Sequence, residues 1–383
     1  MRLRLGRFFL FLTLALQSVQ LAAQQGMLVE SRLARLTACP EPDVSYRPDV
    51  EVRQAEYRFC PRGFREGQAR PWYLHAEFLS LCRSCPRPDH FSADQYAQPD
   101  NVVLGTDNLS FDHEPGMRFT LGRRSSGSDM SVEFSYFGIL DQWNSTASYT
   151  DESPYGGLES NLTATFFSDA GPGTATFDTF RGSGTQAISY TSELHACELN
   201  VQRHFEPWIS SSGHSLAGLR FVTLDEDFVF TSHDTPTGEV GEYLIATENR
   251  LLGLQIGGDL AWQVSPRTAL CLWAKVALLL NFSNQNSRLV NSDTGSTGYD
   301  LPINTGDVTD GDLASLAELG LSFHFAVTRR IELRAGYEAM LLSGLTLAPE
   351  QFDHTIGLTM ARKIDSSGQM LVHGASVGGT CRW

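Results

Sequence analysis

The sequence predicts an all-β fold: a closed antiparallel transmembrane β-barrel of ten strands, within a range of 8–12, with long extracellular loops and short periplasmic turns. Three observations carry this expectation. From Trp72 onward, stretches of alternating apolar and polar residues recur. The connections between them are alternately long and short. The last stretch closes on an aromatic, Trp383, with Trp72 and Trp262 also near predicted periplasmic ends, where aromatic girdles sit.

The predicted strands are Trp72–Cys82, Leu109–Gly122, Met130–Leu140, Tyr190–His204, Ser215–Phe228, Tyr243–Leu260, Thr268–Asn281, Asp312–Phe325, Arg330–Leu342 and Met370–Trp383. Each exceeds the roughly 9–11 residues a tilted strand needs to cross a bilayer. Successive side chains of a strand point to opposite faces, so period two gives each strand one apolar face. In Thr268–Asn281 that face is Leu270, Leu272, Ala274, Val276, Leu278 and Leu280, opposite Lys275 and Asn281. In Arg330–Leu342 it is Ile331, Leu333, Ala335, Tyr337, Ala339 and Leu341, opposite Glu332, Arg334 and Glu338.

The connections after strands two, four, six and eight are short: Arg123–Asp129, Phe205–His214, Ala261–Arg267 and Ala326–Arg329. The other five, Arg83–Asn108, Asp141–Ser189, Val229–Glu242, Phe282–Gly311 and Ser343–Gln369, are longer. A soluble β-sandwich array has no need of that order, whereas outer-membrane barrels have it. A mean hydropathy of −0.18 is compatible with either, because a barrel hides its apolar band in every second residue. The long connections hold 20 acidic and six basic residues, a difference of −14 against a whole-chain formal charge of −15. That rim is either a solvated outer surface or a device that concentrates cations.

Arg2, Arg4 and Arg7 precede the apolar run Phe8–Leu16 and the small residues Ala22 and Ala23. This is the pattern of a secretory signal, 1–23, cut near Ala23. Residues 24–71 then form a periplasmic segment with Cys39 and Cys60, and 72–383 form the barrel.

Several segments resemble a known family. They are Glu198–Phe205, Gly218–Phe228, Thr247–Gly257, Arg334–Phe352 and the closing His373–Trp383, with Trp72–Glu77 at the opening. The chain is similar there to the planctomycete outer-membrane β-barrel proteins, related to the pore-forming barrels named after the Legionella major outer membrane protein. The resemblance implies the fold and an outer-membrane location, brings no catalytic residue, and extends to pore formation only through the broader family. A terminal aromatic such as Trp383 also resembles the signal that barrel-assembly machinery reads.

Twelve ionisable residues are expected on the lumen face: Glu77, Arg118, Glu133, Glu198, Arg220, Asp259, Lys275, Glu318, His324, Glu332, Arg334 and Glu338. They either pair into a network that fills a narrow barrel or line a polar path through it. The corresponding functions are porin-like passage of small solutes or ions, and a non-conducting surface or envelope barrel whose acidic loops bind partners. An enzyme would need acid and base groups within mutual reach. The clusters Asp112-His113-Glu114 and Asp225-Glu226-Asp227, with His233 and His354, are the candidates, and no catalytic set is expected from them. No metal site or cofactor is expected: the Asp293–Asp312 loop has oxygen ligands but matches no EF-hand spacing, and Cys82-Arg-Ser-Cys85 has no second Cys-x-x-Cys. Pairing of Cys39, Cys60, Cys82 and Cys85 stays open. With only two lysines and no basic patch, nucleic acid is not an expected partner. The outer-membrane lipid is.

Overall fold

The computed structural model describes residues 71–94, 101–125, 129–151, 157–160, 163–168, 171–175, 178–207, 211–234, 238–291, 303–357 and 364–383. The signal segment with Ala23, the segment carrying Cys39 and Cys60, and residues 293–302 of the Asp-rich loop lie outside the described residues.

Every predicted strand is present. In chain order they are β1 (Trp72–Arg83), β2 (Glu114–Arg124), β3 (Met130–Ile139), β4 (Thr185–Phe205), β5 (Ser211–His233), β6 (Val240–Ser265), β7 (Thr268–Asn291), β8 (Ile303–Ala326), β9 (Ile331–Leu345) and β10 (Gly368–Arg382). Each pairs antiparallel with its predecessor and successor, and β10 pairs back onto β1, so the ring returns on itself. Trp72 and Trp383 finish the seam by exchanging backbone hydrogen bonds of 3.2 and 3.0 Å. Closure is what lipid demands, since an unpaired edge there leaves backbone groups without partners. No helix of the described residues is long and apolar enough to cross a membrane.

The outward face carries the apolar band. Leu252, Leu254 and Ile256 on β6, Leu272, Leu278 and Leu280 on β7, and Leu319, Leu321 and Phe323 on β8 are all exposed. From Phe325 to Leu313 the band follows β8 for a height of roughly 30 Å, at a rise of ~3.3 Å per residue and a tilt of ~40°. The outward face then turns polar. Glu193, Asp225 and Glu248 stand in register on β4, β5 and β6, and Arg250 bridges Asp225 at 2.6 Å and Glu248 at 3.4 Å.

The strands differ from expectation in length. β4 to β8 run 21, 23, 26, 24 and 24 residues, far beyond the crossing length. β1, β2, β9 and β10 have 12, 11, 15 and 15. The wall is thus tall on one side and low on the other. Leu109–His113, expected at the start of the second strand, lies before it. Trp143–Thr150, expected in a loop, pairs with the upper part of β4 and carries the line of β3 upward.

Segments rising from the low side fold against the inner face of the tall side. His90–Asp94, Val102–Gly105, Leu158–Ser160 and Arg181–Ser183 form a small four-stranded sheet there. Phe91 lies 4.8 Å from Phe352 and 5.2 Å from Phe228, ring centre to ring centre, and Phe352 lies 5.0 Å from Tyr243. Together with Phe180 and Phe230 these rings make an apolar plug in the loop-side half of the barrel. At the other end, Gly320 leaves room for the Trp273 indole: a Cβ there would meet it at 2.3 Å.

The band predicts where charge is tolerated. Ile256, 55% exposed, lies closer to the middle of it than Leu252 or Leu254. Ile256→Arg is expected to cost ~2–4 kcal/mol of stability in lipid vesicles, and Glu248→Arg, above the band, ~0–1. Denaturant unfolding in vesicles reads both; equal costs would mean that the membrane plane is misplaced.

Candidate functional site: the barrel lumen

Inward positions change character with height along each strand. On β1 the series is Tyr73, His75, Glu77, Leu79, Leu81, Arg83; on β5 it is His214, Leu216, Gly218, Arg220, Val222, Leu224, Glu226. Read around the ring, this gives a polar chamber near the short turns, an ionic layer above it, and an apolar layer beneath the plug.

The ionic layer brings together seven of the twelve predicted residues, Lys275 among them. Arg220, 1% exposed, donates to Glu318 at 2.5 Å and lies 3.3 Å from Glu198. Lys275 donates to both Glu198 oxygens at 2.7 and 3.0 Å and lies 3.9 Å from Glu318. Arg118 makes a forked contact with Glu338 at 2.7 and 2.8 Å and reaches Glu77 at 3.0 Å. These seven residues carry three positive and four negative charges. Their pairing offsets the desolvation that a narrow interior imposes, and neutral donors Asn200 and Gln255 complete Glu198. Trp273 lies 5.8 Å from the Arg118 guanidinium and 5.6 Å from the Lys275 ammonium.

The other five line a chamber of about 230 Å³ between that layer and the short turns. Glu332 takes His324 at 3.0 Å and Arg382 at 2.9 Å. Arg334 donates to His324 Nε2 at 3.1 Å and lies 3.0 Å from His75 Nε2. Asp259 pairs with His214 at 3.0 Å. Glu133 accepts from Tyr73 and Gln202.

Above the ionic layer, Leu79, Leu81, Ala196, Val222, Leu316 and Met340 are buried on the same inward faces. The next level is polar again. Arg83 and Glu226, both fully enclosed, pair at 2.6 Å. Glu226 also accepts from Ser192 at 3.1 Å and from the Ala348 backbone N–H at 3.0 Å, while Arg83 donates to Tyr190 at 3.0 Å. One carboxylate thus fastens β1, β4, β5 and the last loop. Asn249 adds a second clasp, donating to the Thr346 carbonyl at 2.9 Å and accepting its N–H at 2.8 Å.

Two contacts close the plug from outside. Asp89 meets His354 at 3.3 Å, and Arg87 meets Glu350 at 2.9 Å. Burial raises the Asp89 pKa, but the hydrogen bonds from His354 and the His90 backbone outweigh it and leave the carboxyl below its usual range. Burial pushes Glu350 up despite Arg87. The signs oppose. As pH falls through the folded pKa of Asp89 its stabilisation is lost, whereas protonating Glu350 relieves a buried charge.

The family described as Putative beta barrel porin-7 (BBP7) matches residues 92–383. The chain belongs to that family. It is a porin-like outer-membrane β-barrel, in contact with membrane lipid along its apolar band. No curated relative matches. Solved structures similar to this BBP7 chain include the outer membrane protease OmpT of Escherichia coli, at 9% identity and TM-score 0.44, covering 83% of this chain and 99% of that one. The translocator domain of the autotransporter NalP of Neisseria meningitidis shows 11% identity and TM-score 0.32, covering 83% and 90%. The toluene transporter TodX of P. putida shows 8% identity and TM-score 0.29, covering 82% and 90%. At these scores none carries an argument about activity.

The remaining acidic and histidine candidates are dispersed in this BBP7 chain. Glu226 points inward to Arg83, while its neighbour Asp225 points outward to Arg250. His354 meets Asp89, not the Asp225–Asp227 cluster. Cys82 and Cys85 are free thiols donating to the Phe111 and Leu109 carbonyls. Cys197 and Cys381 are free on outward faces, and Cys271 is free and buried beside the chamber. Arg83, Glu226 and Asn249, which organise the loop side, were not among the predicted lumen residues. Parity could have found Glu226, because it continues the inward series of β5.

Removing one partner of a buried ionic network is costlier than removing the network's charge evenly. Arg220→Met, which leaves Glu198 and Glu318 with Lys275 alone, is expected to destabilise by ~3–5 kcal/mol. Arg220→Met with Glu318→Gln should recover part of that loss. Denaturant midpoints of the refolded barrel test this, and no recovery in the double variant would contradict the pairing.

Proposed function

We propose that the barrel passes small solutes or ions only when its loop-built plug moves, the structure as described being the closed state. What carries this reading is the stacking in the lumen: a chamber of about 230 Å³ on the turn side, and above it an ionic layer, an apolar layer and the aromatic plug. Dry apolar fill of that kind blocks water and ions. Phe91, Phe180 and Phe352 of the plug belong to loops, while Phe228, Phe230 and Tyr243 belong to the wall, so the loop part can leave without breaking the ring. The lumen charges Glu77, Arg118, Glu133, Glu198, Arg220, Asp259, Lys275, Glu318, His324, Glu332, Arg334 and Glu338 are then the lining of the path, and the acidic outer loops favour cations at its mouth.

The same reading includes export under the signal 1–23, with a cut near Ala23, a periplasmic segment 24–71, and the barrel 72–383. Trp383, exposed on the outward face beside the seam, is the residue we assign to recognition by barrel-assembly machinery. The planctomycete-type kinship rests on the sequence segments alone. We assign no catalytic role, in keeping with the dispersal of the acidic and histidine groups.

A non-conducting envelope barrel is the second reading, favoured by how completely the plug fills the loop side. Planar-bilayer recording separates the two. Wild-type protein should give rare, cation-selective steps, and Phe91→Ala with Phe352→Ala should raise the open fraction about tenfold or more. Silence from both, with a folded and heat-modifiable gel band, would leave the envelope reading. If passage occurs, Lys275→Gln should change the ion selectivity of the steps.

A further inference from the structure

Of the charges around the chamber, Glu332 is met by Arg382 and His324, but Arg334, Glu133 and Asp259 meet no opposite charge of the Arg–carboxylate kind. On one side, Arg334 of β9 has only imidazole acceptors, His324 and His75, and forms no ion pair among the described residues. On the other, Glu133 of β3 is held by Tyr73 and Gln202, both neutral, and Asp259 of β6 by His214. Neither carboxylate forms a direct salt bridge with Arg or Lys among the described residues, although Arg124 and Lys275 line the same chamber within electrostatic range of Glu133. This contrasts with the ionic layer directly above, where every Arg and Lys meets a carboxylate. All three groups line the same cavity. A guanidinium and a carboxylate on flexible stems would ordinarily close such a gap, unless the gap is too wide.

The ring order shows that it is. β9 and β3 are separated by β10, β1 and β2, so Arg334 and Glu133 stand nearly across the barrel. With strands ~4.8 Å apart and tilted ~40°, a ten-strand ring has a radius of about 10 Å and about 19 Å between those two backbones. The two side chains reach at most ~12 Å across it, and because Arg334 is drawn aside to His324 and His75, they and one hydrogen bond at each end leave a few ångström open. That remainder is the charge separation within a short amino acid.

We infer that the turn-side chamber binds a small zwitterion, its carboxylate on Arg334 and its ammonium between Glu133 and Asp259. A guanidinium recognises a carboxylate through parallel N–H donors, and two carboxylates suit an ammonium. Such a ligand supplies both missing counter-charges at once, while a simple anion or cation supplies one and leaves the other buried group unrelieved. This names a solute class for the porin-like reading and rests on it for passage, but binding itself needs no open plug.

Calorimetric titration of the refolded chain in detergent tests the inference, with γ-aminobutyrate, butyrate and n-butylammonium at equal ionic strength. The zwitterion should bind at least about tenfold more tightly than either half. Arg334→Gln should bring γ-aminobutyrate down to the level of butylammonium, and Glu133→Gln down to that of butyrate, with folding checked by heat-modifiable gel mobility. Arg334→Lys, which keeps the charge, should retain part of the preference. Equal binding of the three probes to the wild type, or no saturable heat with any, would overturn the inference without recourse to variants. Bilayer silence alongside selective binding would remove passage and keep the site. Conduction without selective binding would do the reverse.

Discussion

Closing a sheet in lipid fixes how wide its interior can be, and the rest of this molecule follows from that width. Ten tilted strands enclose a radius of about 10 Å, so side chains from facing walls can nearly meet. Water cannot fill a space that side chains occupy, so inward charges must find partners inside the ring. Arg220 shows the consequence: it is 1% exposed and is compensated by Glu318 at 2.5 Å and Glu198 at 3.3 Å. The same constraint explains why Asn200 and Gln255 stand beside Glu198, whose lone pairs would otherwise be desolvated without return.

The loop side meets the constraint differently. Five adjacent strands continue well above the apolar band, and the inner faces of β4, β5 and β6 carry buried Leu, Ile, Phe and Tyr there, whereas β7 carries Asn281, Ser283, Gln285 and Ser287. A half-wall of that kind would expose a large apolar surface to water if nothing covered it. The chain supplies the cover from its own low side, through Phe91 and Phe352, and pins it with Arg83–Glu226 and the Asn249 clasp. Tall wall and plug therefore stabilise each other. The apolar contacts supply attraction, and the enclosed polar contacts fix position, since Arg83, Glu226 and Asn249 each have specific partners to satisfy.

Much of the ring was legible in the sequence because its two rules are local. Period two marks each strand, and alternation of connection length orders them; neither needs knowledge of partners. The lumen side of each strand followed from parity at Glu318, Arg334 and Glu338. What parity cannot give is who pairs with whom across the ring, so that Arg118 meets Glu338, 220 positions away, was not readable. The upper strand halves were missed because the outward face turns polar there and the inward face mixes in polar residues such as Ser283, Gln285 and Ser287 on β7, which reads as a loop at the rim. The plug was missed for a related reason: Phe91, Phe180 and Phe352 are single aromatics in polar segments and carry no period. Glu226 was grouped with Asp225 and Asp227 because it stands between them in sequence, although it faces the lumen and Asp225 faces outward.

Chamber and plug also bear on each other. The ionic layer between them is held by direct pairs, each Arg and Lys in it meeting a carboxylate. The chamber beneath has Arg334 on one side and Glu133 and Asp259 on the other, separated by more than their side chains can span. A barrel that only had to be filled would place larger residues at inward positions such as Ser131, Ser212 and Thr380, which line this chamber. Small residues between Arg334 and the two carboxylates keep a polar space open at the cost of packing, just below a loop side sealed by aromatic packing. The difference in filling between the two halves is the mark of a space kept for a solute, with the plug controlling what lies beyond it.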